Sequence, residues 1–371
     1  MSQDQYVQIQ SYTFAQPPNE LVLKSGGKLG PITLAYETYG KLNRDKSNAI
    51  LIFHALTGDA HAAGLHKDSG TLGWWDPMIG AGKAFDTDKY FVICINCIGG
   101  CKGSTGPSSM NPATGKPYGM SFPVITIEDM VQSQKRLMDH LGIKKLLCAS
   151  GGSMGGLMAM EWAVRFPGTL RSAILIATNY KHTAQQIALH EAARQAIMSD
   201  PNWNQGDYYG KAVPAQGMAV SRMIGHITYM SERSMEEKFG RKLQGKERVG
   251  YDFSHDFEVQ NYLHYRGASF VQRFDANSYL YISKALDYFD LSEDTDLLTV
   301  FKGVQTKFLV ITFTSDWLYP SYQSKDVVKA MKANDIDVSF IEINTTYGHD
   351  SFLVEIDGQS RLVKSFLENI K

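Results

Sequence analysis

Between residues 146 and 167 the chain commits to a local geometry that few folds can house. Leu146-Leu147-Cys148-Ala149 is an apolar run of strand length, Ser150 to Gly156 is a glycine-rich corner, and Met154 to Phe166 has a helical pattern that Pro167 ends. Inside the corner lies Gly151-Gly152-Ser153-Met154-Gly155, a G-x-S-x-G sequence. A serine at the tip of such a turn projects its hydroxyl into a cleft, and small neighbours let the backbone turn without a Cβ clash. The Met154 N–H, at the helix start, is placed to donate to an oxyanion, and the helix dipole adds a favourable field. Phosphate binding is the other use of such a turn, but neither G-K-[ST] nor G-x-G-x-x-G accompanies this one. Ser153 is therefore expected to be a nucleophile.

Strands and helices alternate around this corner. Apolar runs predict strands at Ile32–Tyr36, Ala49–Phe53 and Phe91–Ile95, with a glycine-rich stretch between the last two. Ile127, Met130, Val131, Gln134, Leu137, Met138 and Leu141 then recur at helical spacing. Thr126 with Asp129 reads as a capping box at the start of that helix, and Gly142 marks its stop. Further strands are predicted at Ala173–Ala177, Lys307–Phe313 and Val338–Ile343, with a helix at Ser324–Lys332 and a helical end on either side of Gly358. The alternation implies right-handed crossovers and an α/β class with a mostly parallel sheet flanked by helices. From about Tyr180 to Leu297 the pattern turns helical and more polar, with a charged loop at Gly240–His255. A core of 1–180 and 298–371 interrupted by a helical insertion at 181–297 suits a length of 371 residues.

A serine hydroxyl needs a base, and the base an orienting carboxylate. In parallel α/β sheets these groups open beyond the C-terminal ends of strands. The strand at 307–313 runs through Thr314-Ser315 into Asp316. The strand at 338–343 leads to His349, which alone among the ten histidines follows every predicted strand. Ser153, Asp316 and His349 are thus the candidate catalytic set. A second oxyanion donor is expected from the backbone N–H of Leu56, in the loop after Ala49–Phe53. His54 in that loop is expected to order it by hydrogen bonds rather than to catalyse.

Composition excludes other classes. The net charge is −1 and no stretch reaches the about 18 apolar residues of a membrane span, so neither nucleic acid nor membrane is expected as a partner. The polar start lacks the pattern of a secretion signal. Cys94, Cys97, Cys101 and Cys148 read as reduced structural thiols rather than a metal set, which points to the cytoplasm.

Seven segments carry a wider likeness: HALTGDAHAAG at 54–64, the run from GWWDPMIG to KPYG at 73–119, FPVITIEDMV at 122–131, GGSMGGLMAMEWAVRFP at 151–167, VQRFDANSYLYISKALDYFD at 271–290, FTSDWLYP at 313–320 and YGHDSFLVE at 347–355. In this set and order the chain resembles the homoserine O-acetyltransferase family of the α/β-hydrolase superfamily. The resemblance implies an α/β-hydrolase fold whose helical insertion acts as a lid. It also implies acetyl-CoA as cosubstrate rather than a tightly bound cofactor, L-homoserine as acceptor, an acyl-serine intermediate and a homodimer. Arg222, Tyr229 and Asp350 match the family's amino-acid-binding residues. Related enzymes use succinyl-CoA or accept serine, and an esterase would use the same catalytic set with water. No metal site is assigned.

Overall fold

The computed structural model describes residues 6–67 and 70–370. Residues 1–5, part of the polar start invoked above, lie outside that range. One sheet of eight strands organises the chain: β1 (Gln10–Phe14), β2 (Ile32–Tyr39), β3 (Ala49–Phe53), β4 (Phe91–Ile95), β5 (Leu146–Gly152), β6 (Leu170–Ile176), β7 (Lys307–Phe313) and β8 (Val338–Ile343). Their spatial order is β1-β2-β4-β3-β5-β6-β7-β8. The first two pairings are antiparallel, and every pairing from β4 to β8 is parallel.

The central strands are uniformly apolar because both faces are covered. Along β3, Ala49, Leu51 and Phe53 face one core cluster, while Ile50 and Ile52 face the other. On the first face lie α1 (Ile127–His140) and α2 (Met154–Arg165). The capping box of α1 forms, with Thr126 accepting from the Asp129 N–H and Asp129 accepting from the Thr126 N–H. Gly142 stops the helix at φ 69°.

Between β6 and β7 the chain builds α3 (Ala184–Met198), α4 (Ala215–Tyr229), α5 (Glu232–Lys238), α6 (Glu258–Val271), α7 (Ala276–Asp287) and the single turn α8 (Leu297–Val300). Nearly all of α7 is buried, so the insertion shares its packing with the sheet domain instead of hanging from it. α9 (Ser321–Ala333), α10 (Ser351–Val354) and α11 (Ile356–Glu368) complete the flanking layers. Among the described residues no helix is long and apolar enough to cross a membrane.

The structure corrects several element boundaries. β5 continues through Ser150 and Gly151 to Gly152, because the glycines keep parallel pairing with β6 while Gly151 also pairs with Phe53 of β3. β2 runs on to Tyr39, and β6 begins at Leu170 instead of Ala173. The helix after β7 begins at Ser321 rather than Ser324. Near the C-terminus the break falls at Glu355, whose side chain accepts from the N–H groups of Gly358 and Gln359; Gly358 lies inside α11.

Candidate active site

The chain reverses its direction of growth across the sheet between β3 and β5, and ligand crevices form at such a switch point. Ser153 sits there, immediately after β5 and before α2, at φ 57° and ψ −123°. Few non-glycine residues adopt that backbone, and its cost is typically about 1–3 kcal/mol. Surrounding bonds hold it: the Ser153 N–H donates to Ile176 O at 3.0 Å, and Thr178 Oγ1 donates to Ser153 O at 3.0 Å. Close approach dictates the neighbouring glycine. A Cβ on Gly155 would lie 2.2 Å from the Phe53 carbonyl oxygen, so only glycine lets α2 start against the end of β3.

The other two expected groups arrive from β7 and β8. His349 Nδ1 lies 2.7 Å from Asp316 Oδ2, and both side chains are buried. Asp316 Oδ1 accepts from the N–H groups of Leu318 and Tyr319 at 3.0 and 2.8 Å, so each oxygen of the buried carboxylate is satisfied. An ionised Asp316 is a pure acceptor, which assigns the Nδ1 proton to His349 and leaves Nε2 for a base's work. The imidazole is held on two sides: Tyr319 stacks on it at 4.8 Å, and Phe352 meets it edge-on at 5.5 Å. Ser153 and His349 line the same cavity of about 90 Å³.

Leu56 borders that cavity too, in the turn closed by the Gly58 N–H on Ala55 O at 2.9 Å. His54 has both ring nitrogens engaged. Nε2 accepts from the Cys97 N–H at 3.1 Å, which leaves Nδ1 to donate to Ala55 O at 2.8 Å. Burial holds this imidazole below its ordinary pKa, consistent with a neutral ring that fixes the loop. Met154, fully buried, opens α2, where the first N–H groups have no intrahelical acceptor.

Arg222, Tyr229 and Asp350 converge on the same cavity. Arg222 and Tyr229 both project from α4, with the guanidinium 5.5 Å from the tyrosine ring and 5.0 Å from that of Phe270. Burial pushes the Asp350 carboxyl above the ordinary carboxylate range, against the opposing influence of His349, Arg222 and Arg266. A guanidinium and a carboxylate thus face one small space beside the serine.

Comparison with known proteins settles the kinship of this arrangement. Residues 48–355 match the family described as alpha/beta hydrolase fold. Homoserine O-acetyltransferase of Methanohalobium evestigatum is 59% identical over 356 residues, which cover 96% of this chain and 73% of that protein. This chain belongs to the homoserine O-acetyltransferase family. The crystal structure of homoserine O-acetyltransferase from Bacillus anthracis superposes at a TM-score of 0.92 with 29% identity, covering 99% of each chain. Esterase E22 superposes at 0.88 with 30% identity, over 97% of this chain and 100% of that one.

For a member of the homoserine O-acetyltransferase family, two further side chains stand out that sequence reading passed over. Arg273 Nη1 donates to Thr57 O at 3.1 Å while Arg222 Nη1 reaches Thr57 Oγ1 at 3.4 Å, so two guanidinium groups grip the loop that carries Leu56. Burial, and then the Arg222 charge, lower the pKa of Arg273. Tyr319 combines the stack on His349 with a hydroxyl bonded to His182 Nε2 at 2.8 Å, and it lines a cavity together with Ser153. Both residues lay inside the segments that carry the resemblance. Their side-chain contacts depend on chain crossings that no local pattern reveals.

Proposed function

We infer that this chain transfers the acetyl group of acetyl-CoA to the hydroxyl of L-homoserine through an acyl-serine on Ser153. The observation that carries the reading is the 90 Å³ cavity in which Ser153 and His349 share walls with Arg222, Tyr229 and Asp350. In the first half-reaction Ser153 Oγ attacks the thioester carbon and its proton passes to His349 Nε2. The oxyanion takes hydrogen bonds from the Leu56 and Met154 N–H groups, the C–S bond breaks, and the CoA sulfur leaves with the proton from His349. In the second, the homoserine hydroxyl gives its proton to His349 and attacks the acyl carbon, and the proton returns to Ser153 Oγ as the ester bond to the enzyme breaks. Arg222 would hold the homoserine carboxylate with Tyr229 assisting, and Asp350 would hold the ammonium.

The insertion at 181–297 is assigned the lid role and the contact with a second copy, supported by Val220 and Ile227, which are exposed on α4 two turns apart. A cytoplasmic location belongs to the same reading, supported by four cysteines without a disulfide.

Esterase activity is the second reading, favoured by the likeness to esterase E22. Pairing acetyl-CoA and succinyl-CoA with homoserine, serine and water, and quantifying free CoA and acylated product, separates the two. The expected outcome is O-acetylhomoserine in step with CoA, and an acetyl increment on Ser153 in intact-mass spectra when homoserine is left out. Ser153→Ala should show neither. Free CoA without acylated amino acid would assign hydrolysis.

A further inference from the structure

Two histidines and an aspartate meet where the insertion joins the sheet domain. His182 precedes α3, His190 lies within it, and Asp287 ends α7. One ligand atom from each lies within 4.8 Å of the others. His190 Nδ1 is 2.8 Å from Asp287 Oδ1, and the two imidazole rings are 5.2 Å apart. Both histidines and Ser153 border a second cavity, of about 50 Å³.

A buried ion pair accounts for part of this cluster, since Arg194 Nη2 lies 2.6 Å from Asp287 Oδ2. It does not account for His182. That ring is 7% exposed, its Nε2 is spent on the Tyr319 hydroxyl, and its Nδ1 has no partner. Buried polar atoms of native proteins are nearly always partnered, so an unpartnered ring nitrogen calls for an explanation. If Nε2–H donates to Tyr319, the free lone pair is on Nδ1, and the bond to the hydroxyl orients the ring as outer-shell partners of metal ligands do.

We propose that His182, His190 and Asp287 form a site for a divalent transition metal of the zinc class, tying the start of α3 to the end of α7. Two imidazole nitrogens and one carboxylate oxygen leave a fourth position open, which the small cavity can fill with water. The metal takes the place of the proton between His190 Nδ1 and Asp287 Oδ1, and that proton moves to Nε2, so the imidazole ligates in its neutral form. Arg194 keeps Oδ2, so the carboxylate bridges ion and guanidinium. The imidazole pair selects Zn²⁺, Co²⁺ or Ni²⁺ over Mg²⁺ and Ca²⁺. The edge of a tetrahedron with bonds of about 2 Å is about 3.3 Å, so the His190–Asp287 pair opens from 2.8 Å as the His182 nitrogen draws in.

The test titrates the untagged, full-length chain with Co²⁺ and follows visible absorption. One equivalent should give the intense spectrum of four-coordinate cobalt without a thiolate charge-transfer band, and Zn²⁺ should displace it. His182→Gln and His190→Gln should each weaken binding by about tenfold or more. Zn²⁺ should raise the unfolding temperature of the parent, and less so that of either variant. Absence of saturable binding by the parent overturns the proposal whatever the variants do. So does a thiolate band, or binding by both folded variants equal to the parent's.

Discussion

Asp350 stands next in the chain to His349, the proposed base, and its carboxyl is pushed up by burial. An acid whose folded pKa is raised binds protons more tightly when folded, so its ionised form weakens the fold. That cost is absent below the unfolded value of about 3.9 and grows as pH rises from there through the folded value. Asp350→Asn should therefore unfold at a higher temperature than the parent at pH 7, with the gain vanishing toward pH 4. The same exchange removes the proposed partner of the homoserine ammonium, so KM for homoserine should rise. Unfolding temperatures across pH, set beside homoserine kinetics, check both halves; a variant less stable than the parent at pH 7 contradicts the burial argument. Asp316 behaves differently, because its two oxygens accept three hydrogen bonds, from Leu318, Tyr319 and His349. Asp316→Asn keeps the shape of the side chain but loses its hold on the Nδ1–H tautomer. Loss of the orienting carboxylate in a comparable triad costs roughly 10⁴ in turnover. Single-turnover CoA release measures it, and a loss below about tenfold would give the role to another carboxylate.

At the scale of elements, apolar and β-branched runs could be read closely: β3, β4 and β7, buried on both faces, and the edge strand β8, whose Val338, Phe340, Ile341 and Ile343 are half-buried, have the bounds their sequences predict. Helix α1 was legible through its capping box and Gly142. β1 was not, because Gln-Ser-Tyr-Thr-Phe pairs only with β2 at the sheet's edge and carries no fully buried residue. The insertion was legible as helical, but the break between α4 and α5 at Met230–Ser231 depends on bonds to the loops that carry Asp316 and His349. Trp317 Nε1 donates to Met230 O at 3.0 Å, and Ser231 Oγ donates to Thr346 O. Ser153, Asp316 and His349 could be nominated because each follows a strand, whereas the stack of Tyr319 on His349 is a product of packing. Two glycines of the turn differ in a way that packing also decides. A Cβ on Gly155 meets the Phe53 backbone, while one on Gly152 lies 2.3 Å from the Phe352 ring. Backbone cannot yield without parting α2 from β3, so Gly155→Ala should lose about 3 kcal/mol or more. The Phe352 ring can tilt, and it touches His349, so Gly152→Ala should lose turnover more than stability. Denaturant midpoints and kcat for the pair test this contrast, and equal stability losses would refute it.

Across the whole molecule, the sheet domain supplies Ser153 and His349, the proposed nucleophile and base, while the insertion supplies Arg222 and Tyr229 to the same cavity. The halves are locked where the base loop crosses the insertion: a Cβ on Gly348 would lie 2.5 Å from Ser231 N, and Gly348 adopts φ 74°. In the proposed mechanism acceptor recognition therefore spans both parts, whereas the groups that touch the reacting thioester all belong to the sheet domain. This division makes a kinetic prediction. Arg222→Ala should leave acetylation of Ser153 by acetyl-CoA close to the parent's rate and raise the homoserine requirement sharply in the second half-reaction. The guanidinium lies over Phe270 and Tyr229, and its planar fork is the group that can hold a carboxylate with two hydrogen bonds. Arg222→Lys should rescue only part of the loss, because an ammonium keeps the charge but not the fork or the stacking. Stopped-flow CoA release reports the first half, and steady-state homoserine kinetics report the two together. Equal losses in both would assign Arg222 to donor binding or to folding of α4. No loss in either would leave the guanidinium as a clamp on Thr57, without a part in acceptor binding.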